Sequence, residues 1–233
     1  MQGFMGSVKR EQRKKTRVLI VDDHPLVRER LRELIEREPD LAVCGEAADH
    51  QPALLLANTT QPDLVLVDLT LRESHGLDLL KDLHIRHPEI PVLVLSMHDE
   101  SLYAERAIRA GARGYITKQE ATKSVLKAIR TVLAGNIYLS EAQLADVTAK
   151  MAGRPRGQVG LGIDSLTDRE LRVFELLGQG LSTRAVSLQL RLDMRTVETY
   201  RARIKQKLNL DGATELLQHA IRWVESGGLP RRR

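Results

Sequence analysis

Asp22, Asp23, Asp68 and Lys118 are the residues of this chain best placed to do chemistry together. Asp22 and Asp23 follow the apolar run "RVLIV" (17–21), Asp68 follows "DLVLV" (63–67), and Lys118 follows "RGYIT" (113–117). Adjacent carboxylates raise one another's pKa unless a positive charge lies between them. Three carboxylates suit a hard divalent cation, and Mg2+ takes oxygen ligands at about 2.0–2.1 Å while keeping several waters. With an ammonium nearby, such a pocket can share the charge of a phosphoryl group. One exposed carboxylate can then act as nucleophile and form an aspartyl phosphate. Taken singly, each residue has an ordinary role: Asp23 as a helix cap, Asp68 and Ser96 as turn residues, Lys118 as a solvated side chain. Their position just beyond different buried strands gives the set its meaning.

The elements that must bring them together are short and regular. Five runs read as strands: "RVLIV", "AVCGEA" (42–47), "DLVLV", "PVLVL" (91–95) and "RGYIT". Near-continuous apolar runs of this length suit a parallel sheet covered on both faces. Helical patterns lie between them, carried by Leu31, Leu34 and Ile35, by Ala53 to Ala57, by Leu77, Leu80 and Leu83, by Ala104, Ala107 and Ile108, and by Val125, Ile129 and Leu133. Five such units predict a doubly wound α/β domain, in which ligands sit beyond the carboxyl ends of the strands at a switch in strand order. Asp22, Asp23, Asp68, Ser96, Thr117 and Lys118 all fall on that edge.

Beyond Gly135 one short helix is expected from Ser140. "AGRPRGQVGLGID" (152–164) then reads as a flexible linker. The last 70 or so residues show four helix patterns and no strand alternation, and "LTDRE" opens them with a Thr-x-x-Glu capping box. Charge divides along the same line: residues 17–150 carry a net −5 and residues 165–233 a net +5. Opposite charges of that size predict attraction between the two parts at low salt. A basic third of this kind is where nucleic acid would bind.

Composition excludes several alternatives. Two Phe, four Tyr and one Trp are too few for base-stacking platforms. The single cysteine, Cys44, cannot form an internal disulfide, which fits a reducing, cytoplasmic setting, and it reads as a small apolar strand residue. No apolar run approaches a membrane span. The first 16 residues read as a disordered basic arm and residues 227–233 as a basic tail.

Within the basic third, "STRAVSLQL-RLD-MRTVETYRARIKQKL" has the layout of a helix-turn-helix. Wound at 3.6 residues per turn, the second helix stacks Val197, Ile204 and Leu208 on one face, with Tyr200 beside them. Arg195, Thr199, Ala202 and Gln206 lie opposite, flanked by Glu198 and Arg203, as a surface able to read base edges. Arg201 falls nearer the core, its stem packed and its head reaching out.

These motifs resemble a known family. "VDDHP", "PDLVLVDL", "VLSMHD" and "GARGYITK" are similar, in order and spacing, to the receiver domain of two-component response regulators, over residues 17–134. Residues 165–224 resemble a LuxR-type DNA-binding domain. Together they look like a response regulator of the NarL/FixJ type: a flavodoxin-like receiver of sheet order 2-1-3-4-5, a linker over 135–164, and an all-α helix-turn-helix domain over 165–226. The resemblance implies that Asp22 and Asp23 bind Mg2+ with Asp68 and the Thr70 backbone carbonyl. It makes Asp68 the phosphoacceptor, and Ser96, Tyr115 and Lys118 the residues that respond to the phosphoryl group. His24 also fits that type, with an exposed loop role expected. Glu198, Thr199 and Ala202 take base-contacting positions, while Thr183, Arg184, Arg195, Arg203, Lys205 and Lys207 take phosphate-contacting ones. A sensor histidine kinase, double-stranded promoter DNA and a second copy of the chain, joined when phosphorylated, are the partners implied; no membrane is.

The chain departs from the pattern in the loop after Asp68, where "LTLRESHG" stands in place of the usual Met-Pro. It departs again at Gln119, Ala185, Ser187, Asp193 and Tyr200. Two rival classes stay open on the sequence. One is a phosphate-hydrolysing enzyme with an aspartyl nucleophile, against which Asp68-Leu69-Thr70 lacks a second acid. The other is a DNA-binding protein whose receiver only dimerises.

Overall fold

A computed structural model of the chain describes residues 15–71, 76–97, 101–141, 143–145, 148 and 162–226. The expected arm and tail, most of the loop after Asp68 and most of the glycine-rich linker lie outside the described residues.

The apolar runs form five strands: β1 (Thr16–Val21), β2 (Leu41–Ala47), β3 (Leu64–Asp68), β4 (Val92–Ser96) and β5 (Gly114–Thr117). All pair in parallel, in the order β2-β1-β3-β4-β5. The expected strand order is therefore the one observed, with bounds shifted by about one residue, as is usual at element ends. Five helices connect and follow the strands: α1 (Pro25–Glu36), α2 (His50–Thr60), α3 (Gly76–Arg86), α4 (Ser101–Arg109) and α5 (Lys118–Leu133).

Why the strands read as unbroken apolar runs is plain from their two faces. Val18, Ile20, Leu64, Leu66, Leu93, Leu95 and Ile116 meet Leu31 and Ile35 of α1 and Val125, Ala128 and Ile129 of α5. The alternate residues, Leu19, Val21, Val65, Val67, Val92, Val94 and Tyr115, meet α2, α3 and α4. Both faces exclude water, so neither parity of the strand tolerates a polar residue.

Past α5 the chain bridges back to the sheet at Tyr138, and residues 141, 143–145 and 148 are helical. Gln143 and Ser140 exchange bonds across that helical start, the Ser140 backbone N–H donating to Gln143 Oε1 at 3.0 Å and the Gln143 N–H to Ser140 Oγ at 3.2 Å.

A 3₁₀ turn (Ile163–Ser165) leads into four more helices: α6 (Asp168–Gly178), α7 (Thr183–Leu190), α8 (Met194–Leu208) and α9 (Ala213–Glu225). The predicted capping box at the start of α6 is formed, with Thr167 and Glu170 exchanging side-chain and backbone bonds. Phe174 packs against Trp223 and His219 at centroid distances of 5.7 and 5.8 Å. Gly178 allows α6 and α9 to touch, since a Cβ there would lie 2.4 Å from the Ala220 carbonyl oxygen.

The first turn of α6 is fastened to the first domain. Lys81 Nζ of α3 donates to Asp168 Oδ2 at 2.5 Å, and Arg106 Nη1 of α4 to Asp168 Oδ1 at 2.7 Å. Arg106 Nη2 also reaches the Leu166 carbonyl at 2.6 Å, and Arg169 pairs with Asp78 of α3 at 2.9 Å. No helix among the described residues is long and apolar enough to cross a membrane.

Candidate functional site

The strand order reverses between β1 and β3, and the acids stand at that point. Asp22 and Asp23 follow β1, and Asp68 is the last residue of β3, its hydrogen-bonded neighbour in the sheet. Ser96 closes β4, and Lys118 opens α5 directly after the Thr117 cap that ends β5. Asp22, Asp68 and Ser96 are fully buried.

Lys118 Nζ sits between two carboxylates, 2.6 Å from Asp22 Oδ2 and 2.7 Å from Asp68 Oδ2. The Thr70 backbone N–H donates to Asp68 Oδ1 at 3.0 Å, and the His24 N–H to Asp22 Oδ1 at 2.8 Å. Arg28 Nη1 anchors the Asp22 carbonyl at 2.6 Å, fixing the turn that presents both acids. Gly76 fixes the other side: a Cβ there would stand 2.2 Å from the Asp68 carbonyl oxygen, so only glycine lets α3 start against the end of β3.

The electrostatics follow from burial. Loss of water pushes the Asp68 carboxyl up from 3.8 to about 6, and the Asp22 charge adds to this while Lys118 and the Thr70 N–H oppose it. Burial works against the Lys118 charge as well, but Asp68 and Asp22 outweigh it and hold the ammonium above its ordinary range. Among the described residues, the Lys118 ammonium thus serves two buried carboxylates, with a third, Asp23, alongside.

Single ligand atoms of Asp22, Asp23, His24 and Asp68 all lie within 4.8 Å of one another. Acid oxygens at this spacing, partly desolvated, fit a hard divalent cation. His24, expected in an exposed loop, has a side chain that is 59% exposed, yet its Nδ1 lies 2.6 Å from Asp23 Oδ1, so it borders the pocket.

Of the residues expected to respond to a phosphoryl group, Tyr115 is buried in the α2–α4 face of the sheet, one residue before Ile116 on the other face. Thr70 is half-buried beside Asp68.

The second candidate surface is α8. Asp193 caps it, accepting from the Thr196 N–H at 2.8 Å and the Thr196 hydroxyl at 2.9 Å. Val197, Ile204 and Leu208 are buried, and Tyr200 packs at the edge of the core. Arg195, Glu198, Thr199, Ala202 and Arg203 are exposed on the other side. The expected division of the helix into core and outer faces is present.

Several side chains of this region are engaged within the domain. Glu198 Oε1 accepts from the Thr183 hydroxyl at 3.0 Å and from Arg201 Nη1 at 2.8 Å, which ties the start of α7 to α8. Thr199 donates to the Arg195 carbonyl at 2.9 Å. Lys207 turns inward, its Nζ 2.7 Å from Glu170 Oε2 and 3.0 Å from the Ser165 carbonyl, while Lys205 is half-buried and Arg184 exposed. Ser187, a departure from the family pattern, is buried with its hydroxyl satisfied by the Arg184 carbonyl at 2.9 Å. Burying it therefore leaves no polar group unpaired.

A buried five-stranded parallel sheet with acids at its switch point, joined to a helix-turn-helix unit, defines a regulator with a receiver and a DNA-binding output. Family profiles agree on both halves: the response regulator receiver domain matches residues 18–130, and the luxR family of bacterial regulatory proteins matches residues 164–220. The chain belongs to the LuxR-type response regulators.

Its relatives extend the match over most of its length. A putative transcriptional regulator of Pseudomonas aeruginosa is 34% identical over 89% of this chain and 98% of its own. The response regulator GacA of the same organism is 34% identical over 88% and 95%, and UvrY of Escherichia coli 33% identical over 88% and 93%. Among solved structures, a LuxR-family two-component response regulator from Aurantimonas sp. SI85-9A1 is 37% identical, with a TM-score of 0.55, over 60% of this chain and 99% of that one. RcsB of Salmonella enterica serovar Typhimurium, solved bound to promoter DNA in the presence of phosphomimetic BeF3−, shares the fold at 21% identity, with a TM-score of 0.66 over 89% and 98%.

Proposed function

We propose that Asp68 is phosphorylated by a sensor histidine kinase in a Mg2+-dependent reaction, and that this controls promoter binding by the C-terminal domain. The observation that carries the reading is the placement of Asp68. It ends β3 at the switch point, with Lys118 Nζ 2.7 Å away and Asp22 and Asp23 close enough to share a cation with it.

In this reading Asp68 Oδ attacks the phosphorus of a phosphohistidine, and the P–N bond breaks as the acyl phosphate forms. The phosphoryl group arrives as an anion, so Lys118 gains a second function as its counter-charge. Asp22 and Asp23 hold the metal, with Asp68 and the Thr70 carbonyl completing the protein's share of ligands. When bound, Mg2+ supplies neutralisation of the phosphoryl oxygens. Ser96, at the end of the neighbouring strand, follows the phosphoryl group inward, and Tyr115 changes rotamer with it.

On α8, Glu198, Thr199 and Ala202 read base edges in the major groove. Arg195, Arg203 and Lys205, with Thr183 and Arg184 at the start of α7, serve the phosphate backbone, and Lys207 joins them only if it leaves Glu170. The chain acts as a cytoplasmic regulator and a homodimer when phosphorylated, and a dimer matches a two-half-site promoter.

Incubation of the full chain with a small phosphodonor and Mg2+ tests the central step. Stable, stoichiometric label that disappears with Asp68→Asn supports it. Catalytic turnover would favour a hydrolase, and the absence of label a receiver that serves only in assembly.

A further inference from the structure

His24 stands where α1 begins, yet its side chain does nothing for the helix. It is the N-cap residue, with extended backbone, and it makes no side-chain capping bond. Ser, Thr, Asp and Asn are preferred at such a position because their oxygens accept from the first free N–H groups. The imidazole is turned to the acid pair instead. Its Nδ1 lies 2.6 Å from Asp23 Oδ1 and 3.3 Å from Asp22 Oδ1. The His24 backbone N–H donates to Asp22 Oδ1 at 2.8 Å, which ties the residue to the mouth of the pocket.

Asp23 Oδ1 is buried and accepts no hydrogen bond among the described residues, so its short approach to Nδ1 is not one. Two electron-rich atoms held this close are best reconciled by a cation that draws both. Ligand atoms about 2.1 Å from an octahedral ion stand about 3 Å from their neighbours around it. The two separations of Nδ1 bracket that value. One ligand atom each from Asp22, Asp23, His24 and Asp68 fall within 4.8 Å of one another, so the nitrogen belongs to the same cluster as the acids.

We propose that His24 Nδ1 is a nitrogen ligand of the receiver's metal site, and that it gives the site a preference for borderline first-row ions such as Co2+, Ni2+ or Zn2+ over Mg2+. The inference rests on the reading of the pocket as a metal site. Carboxylates and a backbone carbonyl form an all-oxygen set, which suits Mg2+. Imidazole adds little for a hard ion and much for the later first-row ions. The His24 side chain is 59% exposed, so it can turn towards or away from an ion with no core to repack. Each position that the imidazole fills is one fewer for water or a phosphoryl oxygen. The identity of the ion therefore bears on the proposed phosphoryl transfer.

The test is titration of Co2+ and of Mg2+ into the full, tag-free chain, into His24→Asn, and into the double variant Asp22→Asn with Asp23→Asn. X-ray absorption spectra of the Co2+ forms stand beside it. Asn is a preferred N-cap, so His24→Asn keeps the start of α1.

The ratio of Co2+ to Mg2+ affinity is expected to fall roughly tenfold to a hundredfold in His24→Asn, a loss that disturbing even the partner of a metal ligand can cause. The wild-type spectrum should carry the outer scattering of one imidazole ring, and His24→Asn should lack it. The double variant should lose both ions. An unchanged ratio, or a wild-type spectrum with oxygen scatterers only, makes His24 no more than an ion-pair partner of Asp23 and overturns the inference while leaving the metal site intact. Co2+ binding that persists at full strength in the double variant places that ion on other histidines and overturns it as well. Binding of neither ion by the wild type overturns the metal reading, and this one with it.

Discussion

The receiver pocket and the outer face of α8 are built on opposite terms. In the pocket, charged groups are buried, few in number, and held by backbone: Asp22 by the His24 N–H and Asp68 by the Thr70 N–H. On α8 the polar groups are exposed and several are tied to one another, as Glu198 is to Thr183 and Arg201. Burial makes each pocket residue individually decisive, because no water can replace it. Exposure makes the helix face a set of graded contributions. A substitution in the pocket should therefore switch function, and one on α8 should tune it.

The largest effect expected is on phosphorylation. Asp68→Asn should abolish labelling by a small phosphodonor, and the double substitution Asp22→Asn with Asp23→Asn should reduce it by orders of magnitude while the fold survives. Removing clustered like charges relieves repulsion, so folding should not suffer. Undiminished labelling of the double variant would sink the assignment of those two acids.

The same burial predicts a stability effect with a defined pH window. Asp68 titrates at about 6 in the folded chain against an ordinary value of 3.8. Between these values the folded chain holds a proton that the unfolded chain has lost. The contribution of this group to stability therefore falls as pH rises through that window, and the penalty is complete above about pH 6. In metal-free buffer Asp68→Asn should be more stable than the wild type by up to about 3 kcal/mol near pH 7, since each tenfold difference in proton affinity between the two states corresponds to about 1.4 kcal/mol. Denaturant melts at several pH values measure this, and the advantage should shrink towards pH 4. A constant or inverted difference would show that the ion pair with Lys118 outweighs burial.

On α8 the expected changes are smaller and differ in kind. Substituting Thr199 should alter which base pairs are preferred, at about 1–3 kcal/mol for a lost specific contact. Binding selections with randomised sites would reveal it. Uniform weakening across all sites would move Thr199 from reading bases to positioning the helix.

Much of the pocket is legible in the sequence because strands report themselves simply. A parallel sheet buried on both faces demands continuous apolar runs, and the residue after each run must lie at the carboxyl edge. Asp22, Asp68, Ser96 and Lys118 can be placed by counting alone. The core side of α8 is legible for a similar reason: Val197, Ile204 and Leu208 recur at helical spacing. What escapes depends on contacts between distant segments. Asp168 reads as one more acid in the first turn of a capped helix, and nothing local says that Lys81 and Arg106 will meet it. Arg172 carries no signal of burial, because an arginine three residues before a glutamate on a capped helix reads as part of a solvated face. Lys207 looks like its neighbour Lys205 until the fold brings Glu170 beside it.

That last pair gives the finest comparison between the two regions, because Lys207 is an α8 residue placed on pocket-like terms. Its ammonium meets Glu170, whose side chain is 3% exposed, and Lys207 and the Thr167 N–H hold that carboxyl below its usual range against the effect of burial. Removing Lys207 leaves a buried carboxylate short of a partner, so Lys207→Ala should destabilise the domain by about 1–3 kcal/mol. The Lys205 ammonium makes no such bond among the described residues, and Lys205→Ala should leave stability nearly unchanged. DNA binding should rank them the other way. If Lys205 meets a backbone phosphate, its loss should shallow the slope of log K against log salt by about 0.9. If Lys207 stays with Glu170 in the complex, its loss should leave that slope alone and weaken binding only through the folded fraction. Salt titrations of both full-length variants, read beside their melts, separate the two roles. Equal slopes with equal melts would mean that Lys207 leaves Glu170 for the DNA, and that the exposed face extends further round α8 than its exposure suggests.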